Sequence, residues 1–399
     1  MDAAIHYRIP DDWLKYDHRV VMKDLVEARS AALSLQNTPY QRDWVEKLQQ
    51  MQLKMEVAGT SRIEGAEFTE SELDTAISPT TSADELLTRS QRQARAAAET
   101  YRWIATVPPD YPMTVEFICR VHSSMVTGCD DCPAGQLRGL DENVTFGLPR
   151  HRGSGGGQEC RKAIARLVEA LNHEYRYHDA LIQAIGFHYH FAAMHPFLDG
   201  NGRTARALEA LILQRAGLRD TVFIAMSNYY YEEKQAYLKV LSEVRKRDHD
   251  LTPFITFGLK GVATQCNRLF FEIKKNVQKA VFKTTMYDLF QRLESPRKRV
   301  LAKRQLHLLN VLLEKQQLEV NDFVKQARVA YTKDLKNPGK ALGRDLTALM
   351  ELGAVRFHTE VESKRSFFRV NLDWPEEITE SDFVRKIRQL PKGKQFPFL

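Results

Sequence analysis

The run His195-Pro-Phe-Leu-Asp-Gly-Asn-Gly-Arg-Thr-Ala-Arg206 constrains this chain more than any other stretch. An apolar-patterned segment, Ala180 to Met194, leads into it, and Pro196 then disfavours continuing a helix. Gly200 and Gly202 permit a tight turn with backbone amides open to close approach. Beyond them Ala205, Leu208, Leu211 and Ile212 recur at helical spacing. The predicted geometry is helix, tight loop, helix.

The first turn of a helix carries unsatisfied N–H groups and the positive end of its dipole. Gly200, Asn201 and Gly202 therefore make a site for an anion such as phosphate. Arg203 and Arg206, three positions apart, share one helix face, where two guanidinium forks can clamp further phosphate oxygens. Asp199 is a hard oxygen ligand suited to the Mg2+ that accompanies a triphosphate. His195 is the one group in the run able to take a proton near neutral pH. Singly, these residues read as a turn histidine, loop glycines and a solvated arginine face; together in one helical hairpin they point to phosphate chemistry. His188-Tyr-His190 with Asp199 could suggest a metallohydrolase, but the spacing is not that of a His-Glu-x-x-His helix.

The run resembles the signature of the Fic family, His-x-Phe-x-(Asp/Glu)-Gly-Asn-Gly-Arg-x-x-Arg, with every specified position filled. The resemblance implies a mainly α fold: a Fic helical bundle with a small β-hairpin flap. The implied reaction transfers AMP from ATP to a Ser, Thr or Tyr hydroxyl of a target protein or of the chain itself, with pyrophosphate leaving. On that basis His195 deprotonates the hydroxyl and Asp199 holds Mg2+ between the α- and β-phosphates. Asn201 and the amides of Gly200 and Gly202 stabilise charge at the α-phosphate, while Arg203 and Arg206 grip the β- and γ-phosphates. Relatives also move UMP, phosphocholine or phosphate; the intact Gly-Asn-Gly-Arg favours AMP.

From Asp11 to about Val107 the pattern is helical, with Trp44, Leu48, Met51 and Met55 on one stripe. Within it Thr60-Ser-Arg-Ile-Glu64-Gly65 is a short piece bounded by Gly59 and Gly65, which alone reads as a helix cap and an exposed carboxylate. It also resembles the family's inhibitory motif, (Ser/Thr)-x-x-x-Glu-(Gly/Asn). That resemblance makes Thr60 and Glu64 a brake: Glu64 pairs with Arg206 and takes the charge the γ-phosphate would use. A homodimer burying the helix of Glu64 is one arrangement that would regulate it.

Val115 to Met125 reads as an amphipathic helix. The turn-rich segments Gly135-Gln-Leu-Arg138 and Asn143-Val-Thr-Phe-Gly147 resemble the family's flap, which pairs with a target's extended backbone. A short Gly-rich stretch, Gly153 to Gly157, succeeds the hairpin. Glu159 to Glu174 and Ala180 to Met194 read as helices, with His188 and Phe191 as packing residues. Tyr237 resembles the first of a tyrosine pair bordering the adenine, although Leu238 fills the second place; Arg245 stands where some relatives carry a small amide. Helices are predicted from Thr252 to about Leu293.

At 399 residues two or three domains are expected, and 43% hydrophobic with 27% charged residues fits a globular protein in water. Ser295-Pro-Arg-Lys-Arg299 marks a boundary. The expected divisions are residues 1–107, an N-terminal helical region with the inhibitory motif; 108–293, the catalytic core; 296–374, a winged-helix domain; and 375–399, a tail. Helices from Val300, Val320 and Asn337 followed by alternating strands resemble a winged helix-turn-helix, with Lys340, Arg344 and Thr347 on its recognition helix and Lys364-Arg365 at the wing tip. Such a module binds DNA or protein. The net charge of +7 is concentrated there: from Pro296 onward 21 Lys and Arg face 13 Asp and Glu. A second reading is therefore a DNA-binding regulator whose core only senses nucleotide. Five cysteines do not suggest a disulfide framework, and Cys129-Asp-Asp-Cys132 lacks the second pair a zinc site needs. With no apolar leader or spanning run, the expectation is a cytoplasmic protein without membrane contact.

Overall fold

The computed structural model describes residues 5–38, 42–128, 133–147, 150–215, 217–218, 224–291, 296–331, 335, 337–361 and 364–389. The Cys129–Cys132 pair lies outside them. The chain divides into two compact units, Met1–Phe271 and Glu272–Leu399.

The first unit runs β1 (Ile5–His6), α1 (His18–Gln36), α2 (Arg42–Ile63), α3 (Glu70–Ile77), α4 (Arg89–Ala105), α5 (Val115–Val126), β2 (Thr145–Phe146), β3 (His151–Arg152), α6 (Gln158–Asn172), α7 (Ala180–Met194), α8 (Asn201–Arg215), α9 (Met226–Glu232), α10 (Lys234–Lys246) and the first half of α11 (Thr252–Gln291). Side chains set the helix starts. Asp17 and Asp179 accept from amides of the first turns of α1 and α7, and reciprocal capping boxes, Thr69 with Glu72 and Thr88 with Gln91, open α3 and α4. All but two of the 15 residues are buried in both α7 and α8. A helix covered all round is a core helix, and this pair is the centre about which the others pack.

Three features differ from the sequence expectation. Gly59 is not a boundary but lies inside α2, where an added Cβ would collide with the Ser227 backbone of α9; the glycine permits close helix approach. The segment from Thr252 is one 40-residue helix, since Pro253 in its first turn lacks only an N–H that would have had no helical partner. Residues 5–6, too short for any alternation to be visible, form a strand that pairs in parallel with β3, while β2 pairs antiparallel on the other side. The sheet order is β1-β3-β2.

The second unit contains the end of α11, then α12 (Pro296–Lys315), β4 (Gln317–Glu319), α13 (Val320–Ala327), α14 (Pro338–Glu351), β5 (Val355–Thr359), β6 (Ser366–Val370), α15 (Trp374–Glu377) and α16 (Glu380–Gln389). Its three strands are antiparallel in the order β4-β6-β5. Its core includes Phe282, Met286, Leu312, Phe323, Leu346 and Phe368. Among the described residues no helix is long and apolar enough to cross a membrane.

Candidate active site

His195 ends α7 in a left-handed conformation, φ 54°. A non-glycine residue there costs on the order of 1 kcal/mol or more, so the surroundings must hold it. Its N–H donates to the Phe191 carbonyl at 3.1 Å and its Nδ1–H to the Ala192 carbonyl at 3.0 Å. With Nδ1 committed, Nε2 carries the lone pair. Burial lowers the imidazole pKa to about 4, and Arg245 and Arg138 push the same way against the Ala192 hydrogen bond and Glu64. The ring is neutral at physiological pH.

Arg138 is the post behind this turn. It is fully buried, and its guanidinium donates to the carbonyls of His195 at 2.7 Å, Glu142 at 2.6 Å and Ser154 at 2.6 Å. One side chain thus ties the end of α7 to both ends of the β2–β3 hairpin. From that hairpin Phe146 stacks on His195, centroids 4.0 Å apart and planes 17° from parallel.

The loop to α8 is fixed by its own side chains. Asn201 Oδ1 accepts from the Phe197 N–H at 2.9 Å and its Nδ2 donates to the Phe197 carbonyl at 2.8 Å, so this amide braces the turn. His122, which no short motif marks, lies flat on Phe197 at 3.7 Å. It accepts from the Gly135 N–H at Nδ1 and so donates from Nε2 to the Asp199 carbonyl, at 2.9 and 3.0 Å. Burial lowers its pKa to about 4. Gly200, at φ 73°, leaves no room for a Cβ, which would sit 2.5 Å from Val126 Cγ1.

The Asp199 side chain is 45% exposed, with Oδ1 accepting from the Gly200 N–H at 2.7 Å and Oδ2 3.5 Å from Arg203 Nη2. Arg203 and Arg206 are both buried. Arg206 donates from Nε to Thr60 Oγ1 at 2.9 Å, and from Nη2 to the Thr60 carbonyl at 3.2 Å and to Glu64 Oε1 at 2.6 Å. Burial would lower the arginine pKa, but Glu64 outweighs it and holds it above its ordinary value. A Cβ on Gly202 would collide with Glu64 Oε1, which places that carboxylate against the first turn of α8.

Thr60 belongs to a polar row on one face of α2, and Glu64 lies just past the end of that helix. Gln52 Oε1 accepts from the Ala225 N–H at 3.1 Å, and Glu56, 1% exposed, accepts from the Ser227 N–H at 2.8 Å and from its hydroxyl. Because Ala225 offers α9 no side-chain cap, Glu56 caps that helix from across the interface. Burial raises its pKa to about 7 despite the Ser227 and Tyr101 hydrogen bonds.

Tyr237 lies beneath, 2% exposed, with its hydroxyl donating to His188 Nε2 at 2.9 Å. His188 Nδ1 in turn donates to Glu209 at 2.7 Å, and Tyr230 donates to the other oxygen of that carboxylate at 2.6 Å. His188 is therefore spoken for within a buried network, as is His190, which bridges Tyr7 and the Trp13 carbonyl. Among the described residues no group of three or more His, Cys, Asp or Glu side chains could hold a metal by itself.

A neutral histidine ends α7, and two buried arginines stand in the first turns of the next helix, an arrangement chemically suited to an anion and to a proton acceptor. Residues 112–213, which include His195, Asp199, Arg203 and Arg206, match the model of the Fic/DOC family. The chain is similar to the protein adenylyltransferase Fic of Drosophila willistoni, 29% identical over 149 residues, and to that of Drosophila melanogaster, 27% identical over 151. Each match covers 36% of this chain and spans 27% of the relative's length. The fold is similar to a Fic family protein from Desulfovibrio desulfuricans, at TM-score 0.56 and 17% identity over 92% of this chain and 98% of that one. It is also similar to Fic-1 (residues 134–508) from C. elegans, at TM-score 0.55 and 19% identity over 65% and 74%.

Proposed function

We propose that the protein is an adenylyltransferase that moves AMP from ATP to a Ser, Thr or Tyr hydroxyl of a target protein or of itself, and that Glu64 brakes it. The observation that carries the reading is His195: its Nδ1 is committed to the Ala192 carbonyl, which leaves Nε2 as the acceptor on a residue at the start of the loop into α8. The target hydroxyl oxygen bonds to the α-phosphorus, the bond from that phosphorus to the oxygen bridging to the β-phosphate breaks, pyrophosphate leaves, and the hydroxyl proton passes to His195 Nε2. Amides at the start of α8 offer charge-complementary donors to the phosphates, and Arg203 and Arg206 supply positive charge beyond them. The Asn201 side chain serves by holding the loop in shape.

The residues fit Mg2+ arriving with the nucleotide: one half-exposed carboxylate, Asp199, suits an ion that keeps waters and phosphate oxygens as its other ligands. Bound there, Mg2+ would supply charge neutralisation between phosphates. Tyr237 is buried with its hydroxyl on His188, so it offers no open face to an adenine. The outer edge of β2, next to His195, is where an extended target backbone would add. The brake is supported by the Glu64–Arg206 pair, which occupies the guanidinium a γ-phosphate would need.

ATP labelled on its α-phosphate tests the reaction. Covalent label on protein that is lost in His195→Ala supports it, whereas label that never becomes covalent would leave a nucleotide sensor instead.

The order α12–β4–α13–α14–β5–β6 supports a second role, with residues 296–374 as a winged helix that binds DNA. Lys340 and Arg344 are exposed on α14, and Lys364 and Arg365 at the turn between β5 and β6. Duplex affinity should weaken with salt and fall further in Lys340→Ala/Arg344→Ala; affinity indifferent to both would favour a protein partner.

A further inference from the structure

Arg245, near the end of α10, has its guanidinium carbon 4.7 Å from the centroid of the Phe146 ring. A ring has two faces, and the His195 imidazole, near-parallel at 4.0 Å, fills one of them. The guanidinium must take the other. The result is three layers, imidazole, benzene and guanidinium, contributed by the end of α7, by β2 and by α10. Arg245 Nε is buried with no hydrogen-bond partner, and burial lowers the arginine pKa to about 10, opposed by Tyr189 and Tyr237 rather than by a carboxylate. A desolvated cation of this kind needs a reason to be there, and the ring it rests on is the one that covers His195.

We infer that Arg245 is a positioning residue for His195, acting through Phe146 to hold the plane of the imidazole and with it the direction of Nε2. The inference rests on the reading of His195 as the base. The hydrogen bond from Nδ1 to Ala192 pins one edge of the ring, but a single bond leaves its tilt free. Phe146 supplies the missing restraint from a strand only two residues long, whose outer edge is unpaired among the described residues. Pressed from behind by a side chain anchored on a 13-residue helix, it becomes a firm wall. Two cations, Arg245 and Arg138, also oppose protonation of the imidazole, whereas Glu64 from the end of α2 and the Ala192 carbonyl favour it.

The test uses the full chain carrying Glu64→Gly, with α-labelled ATP as donor and transfer to the protein itself or to lysate proteins as the rate readout. His195 is titrated independently by NMR on protein labelled with carbon-13 at histidine Cε1, its signal assigned by loss in His195→Ala. Arg245→Met and Phe146→Leu should each lower kcat roughly tenfold and leave KM for ATP within about twofold. Because one acts through the other, adding Arg245→Met to Phe146→Leu should cost less than about twofold more. Arg245→Met should also raise the His195 titration midpoint, and Arg245→Lys, which keeps the charge, should restore part of it. An equal loss from Arg245→Met in both backgrounds overturns the inference. So does a rise in KM for ATP with kcat intact, which would make Arg245 a nucleotide ligand. If no form transfers AMP, the reading of the reaction fails; a His195 midpoint that Arg245→Met does not move then refutes the stack on its own.

Discussion

Nη2 of Arg206 meets Oε1 of Glu64 at 2.6 Å across 142 residues of chain, with the arginine side chain only 1% exposed. A buried guanidinium with its carboxylate already in place has no reason to release it for a phosphate unless the phosphate binds better. Glu64→Gly should therefore raise the rate of AMP transfer by roughly ten- to a hundredfold, the equivalent of about 1.5–3 kcal/mol for a hydrogen bond to a charged group. Initial rates on purified protein decide the matter, and a rate equal to or below that of the parent chain refutes the brake.

The depressed pKa of His195 makes a prediction about pH. A base must be neutral to accept a proton, and here the imidazole stays neutral down to about pH 4. The Glu64→Gly form should keep most of its pH 7 rate at pH 5.5, with the acid limb lying well below the usual histidine range. An acid limb centred on the ordinary histidine value, in protein still folded by circular dichroism, would mean that His195 is not a desolvated base.

Glu56 bears on stability with the opposite sense. Its pKa is raised in the folded state, from 4.5 to about 7, so the stabilising protonated form is fully present below 4.5 and is lost as pH rises through about 7. Glu56→Gln keeps an acceptor for the Ser227 N–H without the charge. Its stability relative to the parent chain should rise between pH 5 and pH 8 by on the order of 2 kcal/mol, read from denaturant midpoints. A difference that does not change with pH would show that the carboxylate is ionised throughout.

Arg138 should matter more to the site's integrity than to any single step. Arg138→Met leaves the carbonyls of His195, Glu142 and Ser154 without their donor, which should cost about 3 kcal/mol or more of stability. A loss below about 1 kcal/mol in urea unfolding would show that water or a neighbour takes over those carbonyls.

How much of the molecule the sequence disclosed depends on how local each interaction is. The α7–loop–α8 hairpin was legible because proline, glycines and a returning helical period lie within a few dozen residues of one another. Thr60 and Glu64 could be linked to Arg206 only through a family motif, since no property of those letters brings them across the chain. Gly59 misled: a glycine just before the polar run Thr60-Ser61-Arg62 reads as a boundary, whereas here it answers to the Ser227 backbone of another helix. His122, Glu56 and the Phe146–Arg245 contact left no trace in the sequence because each is a lone residue whose meaning depends on a neighbour far along the chain. The same is true of β1, whose two residues gain their conformation from β3.

That the carboxylate and the guanidinium belong to one polypeptide fixes how such restraint can be lifted. A tethered competitor has a local concentration set by the fold, so thinning the protein in solution does not loosen it. If Glu64 is the brake proposed above, relief would have to come from abundant nucleotide or from whatever shifts the helix ending at Ile63, and in that sense the molecule would carry its own dose of inhibitor wherever it goes.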